Sequence, residues 1–131
     1  MVDIIATIHL YNVVLVLTSA VVTGIWGLIL YFTKRSMNRP WRISLITTAI
    51  LGAIQGVLGV TMVALGARPG TGTGIYYLHY VYGAIVAFAI PVALTYTTSG
   101  KNPRRDMLIF SIAALILAAA GVRAFMTGPV H

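Results

Sequence analysis

Cysteine and glutamate are both absent from the 131 residues, and the only acidic side chains are Asp3 and Asp106. Without thiols there are no disulfides, iron–sulfur clusters or thiolate metal sites, so any cofactor must be held by histidine, methionine or oxygen ligands. Charge of either sign is scarce: 8% of the residues are charged, against about 25% in soluble globular proteins. A water-soluble domain with such a surface would precipitate. No tract is polar enough to form a second domain, and residues 1–131 read as one unit.

What is abundant is apolar sequence, 59% of the chain. It falls into four blocks, Ile4 to Phe32, Ile43 to Leu65, Ile75 to Tyr96 and Met107 to Met126, each at or above the ~20 residues that cross the hydrocarbon of a bilayer. None contains Asp, Glu or Lys. Two-residue alternation is missing, and backbone groups in lipid must be satisfied within the segment, so helices are expected over barrel strands. The first block begins after Asp3 and ends at Lys34-Arg35, which reads as a retained span with a stop-transfer flank and not as a cleaved signal. The expected fold is all-α: a membrane-embedded, up-down-up-down four-helix bundle in which the first and third helices are parallel and diagonal to each other.

Seven of the nine basic residues lie in two connections: Lys34, Arg35, Arg39 and Arg42 in one, Lys101, Arg104 and Arg105 in the other. Arg68 and Arg123 stand at the opposite end. The positive-inside rule then places both termini outside, in an expected prokaryotic cytoplasmic membrane. The formal charge of +7 is a topology signal and an attraction to anionic lipid headgroups. Short basic loops offer no folded platform for nucleic acid. The glycine-rich connection Gly66 to Gly74 lacks the Gly-Lys-Ser/Thr ending of a phosphate-binding loop and reads as a turn. In the second block Gly52, Gly56 and Gly59 form a small-residue stripe suited to close helix approach. Pro91 is expected to bend the third span.

Of three histidines, His131 ends the sequence and is expected to be mobile. His9 and His79 lie near the same end of two parallel spans. Counted from the basic flanks, Lys34 is 25 residues from His9 and Lys101 is 22 residues from His79, a mismatch of about 5 Å at the helical rise. A lone histidine at a membrane boundary is ordinarily an interface residue. Two at equal depth across a bundle match the requirement of a six-coordinate haem iron, one imidazole on each face. Gly83, four residues after His79, leaves room for a flat macrocycle. Arg123 and Arg68 are candidate partners of the haem propionates. Tyr76, Tyr77, Tyr80 and Tyr82 suit an aromatic belt or contacts with the ring. Two histidines alone are too few for a zinc or copper centre.

The stretch Ile54 to Phe88, with Gln55, Leu58, Gly59, Thr61, Pro69 and His79 in place, resembles the repeat of the haem A synthase family, and the chain resembles one four-helix half of that family over most of its length. The resemblance implies a haem-holding scaffold in which His79 ligates iron and His9 takes the earlier ligand's place. The family's His-Arg pair is here His9-Leu10, and no glutamate is present to supply the acidic residue of its enzymatic site. The expectation is therefore a bis-histidine haem b protein that transfers electrons or holds the cofactor in a respiratory or photosynthetic assembly, as a homo-oligomer or a subunit of a larger complex. The alternatives are a compact haem A synthase-like enzyme and a cofactor-free structural subunit.

Overall fold

The computed structural model describes residues 2–67 and 77–127. Within them the chain forms α1 (Val2–Phe32), α2 (Arg39–Ala64), α3 (Tyr77–Leu94) and α4 (Pro103–Thr127). All four helices are long and apolar enough to cross a membrane. α1 packs on α2 and α4, and α3 packs on the same two helices, so α1 and α3 stand diagonally. Large apolar side chains such as Val14, Ile25, Ile50, Phe88 and Ile116 point outward. That is the expected surface of a bundle whose solvent is lipid.

Two helices begin earlier than their apolar blocks, for a local reason. Asn38 and Pro40, turn residues by their type, start α2: the Asn38 side chain accepts the Trp41 backbone N–H at 2.8 Å, and Pro40 sits in the first turn. Asn102 and Pro103 repeat the device at α4, where Asn102 accepts the Arg105 N–H at 3.1 Å. Proline tolerates a first turn because its missing donor would have had no intrahelical partner there. α1 ends with Lys34 in the left-handed region at φ 60° while the Arg35 N–H reaches back to the Leu30 carbonyl at 2.9 Å. Gly66 does the same for α2 at φ 91°. Pro91 lies inside α3, which continues to Leu94. Ile75 and Tyr76, at the start of the third apolar block, lie outside the described residues, as does His131.

Toward the basic connections the bundle is tightly closed. Trp41 is fully buried and donates its indole N–H to the Thr23 carbonyl at 3.0 Å. Hydroxyls join α1 to α2 beside it: Ser19 to Thr48, Thr48 to Thr23 and Thr23 to Ser44. Gly24 and Gly27 let α4 come close; a Cβ at Gly24 would stand 2.6 Å from Leu115, and one at Gly27 would run into Ser111. Asp106 belongs to this end, where its carboxylate accepts the backbone N–H groups of Thr98 at 2.8 Å and Gly100 at 3.2 Å. It pins the α3–α4 turn and lies at the far end of the bundle from both histidines.

Candidate functional site

At the end bearing the termini the same four helices leave a cavity of about 1110 Å³. Its walls are almost wholly apolar, and its polar side chains include His9 from α1, Gln55 from α2 and His79 from α3. The helical register accounts for the meeting. α1 and α3 run parallel from this end, each carrying its histidine within the first turns, and the diagonal places the two rings opposite each other across the interior. Their ring centres are 6.2 Å apart, with planes inclined at 63°.

His79 is held by one ring nitrogen: Nδ1 lies 2.7 Å from the Ala124 carbonyl of α4. A carbonyl only accepts, so Nδ1 carries the proton and Nε2 keeps its lone pair. Metal-binding histidines are commonly fixed in this way, the second ring nitrogen donating to a carbonyl.

His9 is held differently. The Asn12 amide donates to the Leu51 carbonyl at 3.2 Å and to Gln55 Oε1 at 2.8 Å. Because the Leu51 carbonyl only accepts, Asn12 is fixed as donor and Gln55 must present its NH2 to His9. That NH2 reaches the His9 carbonyl at 3.0 Å and His9 Nε2 at 3.3 Å. The proton of neutral His9 then resides on Nδ1, which is buried without a hydrogen-bond partner among the described residues. A buried donor left unmatched is uncommon in native proteins.

Glycines shape the space between these groups. A Cβ at Gly83 would meet nothing within 4 Å, and one at Gly59 would come no nearer than 3.6 Å to His9 Cε1. The other two members of the α2 stripe behave as small residues at a helix contact. A Cβ at Gly52 would stand 2.7 Å from the Val86 carbonyl oxygen of α3, and one at Gly56 would stand 2.9 Å from the Ala87 Cβ. The stripe thus joins α2 to α3 at its first two positions and opens onto the histidines at its third.

His9, His79 and Gly83 are brought together as expected from their spacing. Arg123 is not. It lies about 200° around α4 from Gly121, which lines the cavity, and its guanidinium sits over the Tyr82 ring at 5.6 Å from the centroid. Arg68 and Tyr76 lie outside the described residues. Asn12 and the orienting role of Gln55 escape the sequence reading, although a signal is there: Asn12 is three residues after His9, on the same face of α1.

A ring-centre separation of 6.2 Å would let His9 and His79 hold one ion lying between them. No group of three or more His, Cys, Asp or Glu that could hold a metal occurs among the described residues. Comparison with protein-family models, curated proteins and solved structures finds no match to this chain.

Proposed function

We propose that the chamber is a bis-histidine haem b site and that the protein is an electron-transfer or cofactor-holding component of a membrane assembly. The observation that carries this reading is the 6.2 Å separation of the His9 and His79 ring centres inside an apolar cavity large enough for a macrocycle. Porphyrin supplies four nitrogens, so two histidines complete the coordination that they could not complete for a bare ion. The resemblance to one half of the haem A synthase family points the same way.

His79 is already in the ligating tautomer. To hold the haem, His9 Nε2 would give up the Gln55 N–H, a hydrogen bond worth about 0.5–1.5 kcal/mol. When bound, the haem supplies one-electron exchange between its ferric and ferrous forms. Held by His9 and His79, the group would exchange electrons without binding a substrate, and the apolar wall would tune its potential. Glutamate is absent, Asp106 lies at the other end of the bundle, and Asp3, in the first turn of α1, does not line the cavity.

The test is an optical spectrum with pyridine haemochrome analysis of protein purified gently from haem-replete cells. The parent should give a low-spin b-type spectrum. His79→Ala should lose most of its haem, because it removes the better-prepared ligand. His9→Ala should keep five-coordinate, high-spin haem at reduced occupancy. Parent-like spectra from both variants would overturn the ligation, and a haem-free parent would leave the structural-subunit reading in its place.

A further inference from the structure

The chamber has a lateral opening between α2 and α3. The register of this antiparallel pair is set where the helices touch, Gly52 against Val86 and Gly56 against Ala87. One turn nearer the termini the seam parts at Gly59 and Gly83, which both line the cavity: a Cβ at Gly83 would meet nothing within 4 Å, and the nearest atom to one at Gly59 is His9 Cε1 of α1, at 3.6 Å. The rim of the parting carries Val57, Val60, Ala84 and Phe88. All four line the cavity, and all four face outward: Val57 is 65% exposed, Val60 72% and Phe88 61%, with Ala84 also exposed. Residues that line a cavity and the outer surface at once mark a passage between them.

The depth of the passage decides what it opens onto. Val57 and Val60 lie within α2, and Phe88 lies eleven residues into α3, so the rim sits inside the membrane-crossing part of both helices. Among the described residues no charged side chain stands on it. A rim of valine, alanine and phenylalanine at that level would be wetted by acyl chains.

We infer that the histidine chamber is loaded from the bilayer through the α2–α3 seam, by a flat, mainly apolar, membrane-partitioning molecule. The identity of that molecule rests on the haem reading; the opening does not. Two glycines without a close partner across the seam make a slot that admits a planar ring edge-on, leading to the two imidazoles. Gly56 and Ala87 form its floor.

Because the chain has no cysteine, a single introduced thiol can be labelled cleanly. Gly83→Cys carrying a small bimane fluorophore is reconstituted into phosphatidylcholine vesicles with plain or acyl-brominated chains. Brominated chains should quench it several-fold, as they should a label at Val14→Cys, which faces outward on α1, while aqueous iodide quenches it weakly. A label at Ala84→Cys repeats the measurement should Gly83→Cys fold poorly. A bright label in brominated vesicles overturns the inference, whether iodide reaches it from the terminal end or nothing does.

The second arm uses Val60→Phe with Ala84→Phe to narrow the rim. Haem uptake from haemin-loaded vesicles should slow several-fold with the final spectrum unchanged; an unchanged rate also overturns lateral loading. Quenching needs no haem, so a chamber open to lipid in a protein that binds none would refute the haem reading alone.

Discussion

The two ends of this bundle use one vocabulary, small residues and uncharged polar groups, to opposite effect. At the basic end the glycines are filled by their neighbours: the place of a Gly27 Cβ is taken by Ser111, with the Trp41 indole 2.8 Å away, and that of Gly24 by Leu115. The hydroxyls there pair with one another or with helix carbonyls. At the terminal end Gly83 faces open space and Gly59 meets only His9, at 3.6 Å, and one imidazole nitrogen is buried without a partner among the described residues. In lipid, where burial alone does not drive helices together, close packing and interhelical hydrogen bonds must hold the bundle. The closed end supplies both. It therefore serves as the clamp that lets the other end remain hollow.

The sharpest way to break this contrast is to overfill the clamp. Gly27→Leu places a branched side chain where Ser111 and Trp41 already stand. Overpacking a close-packed core costs about 1–3 kcal/mol and sometimes more, and here the neighbours include a fully buried indole with nowhere to move. Loss of folded, monodisperse protein in detergent is expected. Retention of the parent thermal midpoint would mean that α1 and α4 are free to separate and that the clamp is no clamp.

A smaller effect should follow from Trp41→Phe, which keeps the aromatic bulk but removes the N–H donated to the Thr23 carbonyl. Interhelical hydrogen bonds in membranes average about 0.6 kcal/mol and reach about 1.7, and the smaller ring adds a void. The midpoint of thermal unfolding should fall by a few degrees while haem content stays at the parent level, because the indole is remote from the chamber. A fall in haem content with stability unchanged would show that the two ends are coupled in a way that packing does not explain.

Much of this arrangement is legible in the amino-acid sequence, and what is not has identifiable causes. Four spans, the diagonal relation of α1 and α3 and the equal depth of His9 and His79 follow from block length, loop charge and helical rise. Side-chain direction around a helix is a finer quantity. Arg123 lies close to the chamber in sequence and depth, yet its position between Gly121 and Ala124 turns it to the Tyr82 side. The α1–α2 contact is foreshadowed by Asn12, Ser19 and Thr23 on one helix and Ser44, Thr48 and Gln55 on the other, all at four- or seven-residue spacing. Such residues are common in membrane helices, so their spacing gains meaning only when both partners are seen. The orientation of the Gln55 amide depends on a backbone carbonyl of Leu51 and has no sequence signature.

The mildest substitution separates the two ends most cleanly. Gly83→Ala adds one methyl where nothing lies within 4 Å, inside a helix, where glycine is less stable than alanine by about 0.5–1 kcal/mol. The haem-free protein should therefore become slightly more stable, whereas Gly27→Ala, the same chemical change in the clamp, should destabilise it by collision with Ser111. In the haem reading, the added methyl projects into the space reserved for the macrocycle. The affinity for haem should then drop while the haem-free midpoint rises, two changes of opposite sign from one carbon atom. Thermal unfolding measured with and without haem resolves them. If both quantities rise together, the ring does not lie against Gly83 and the cofactor must sit elsewhere in the chamber. If both fall, the space beside Gly83 is already occupied and the hollow end is closed after all.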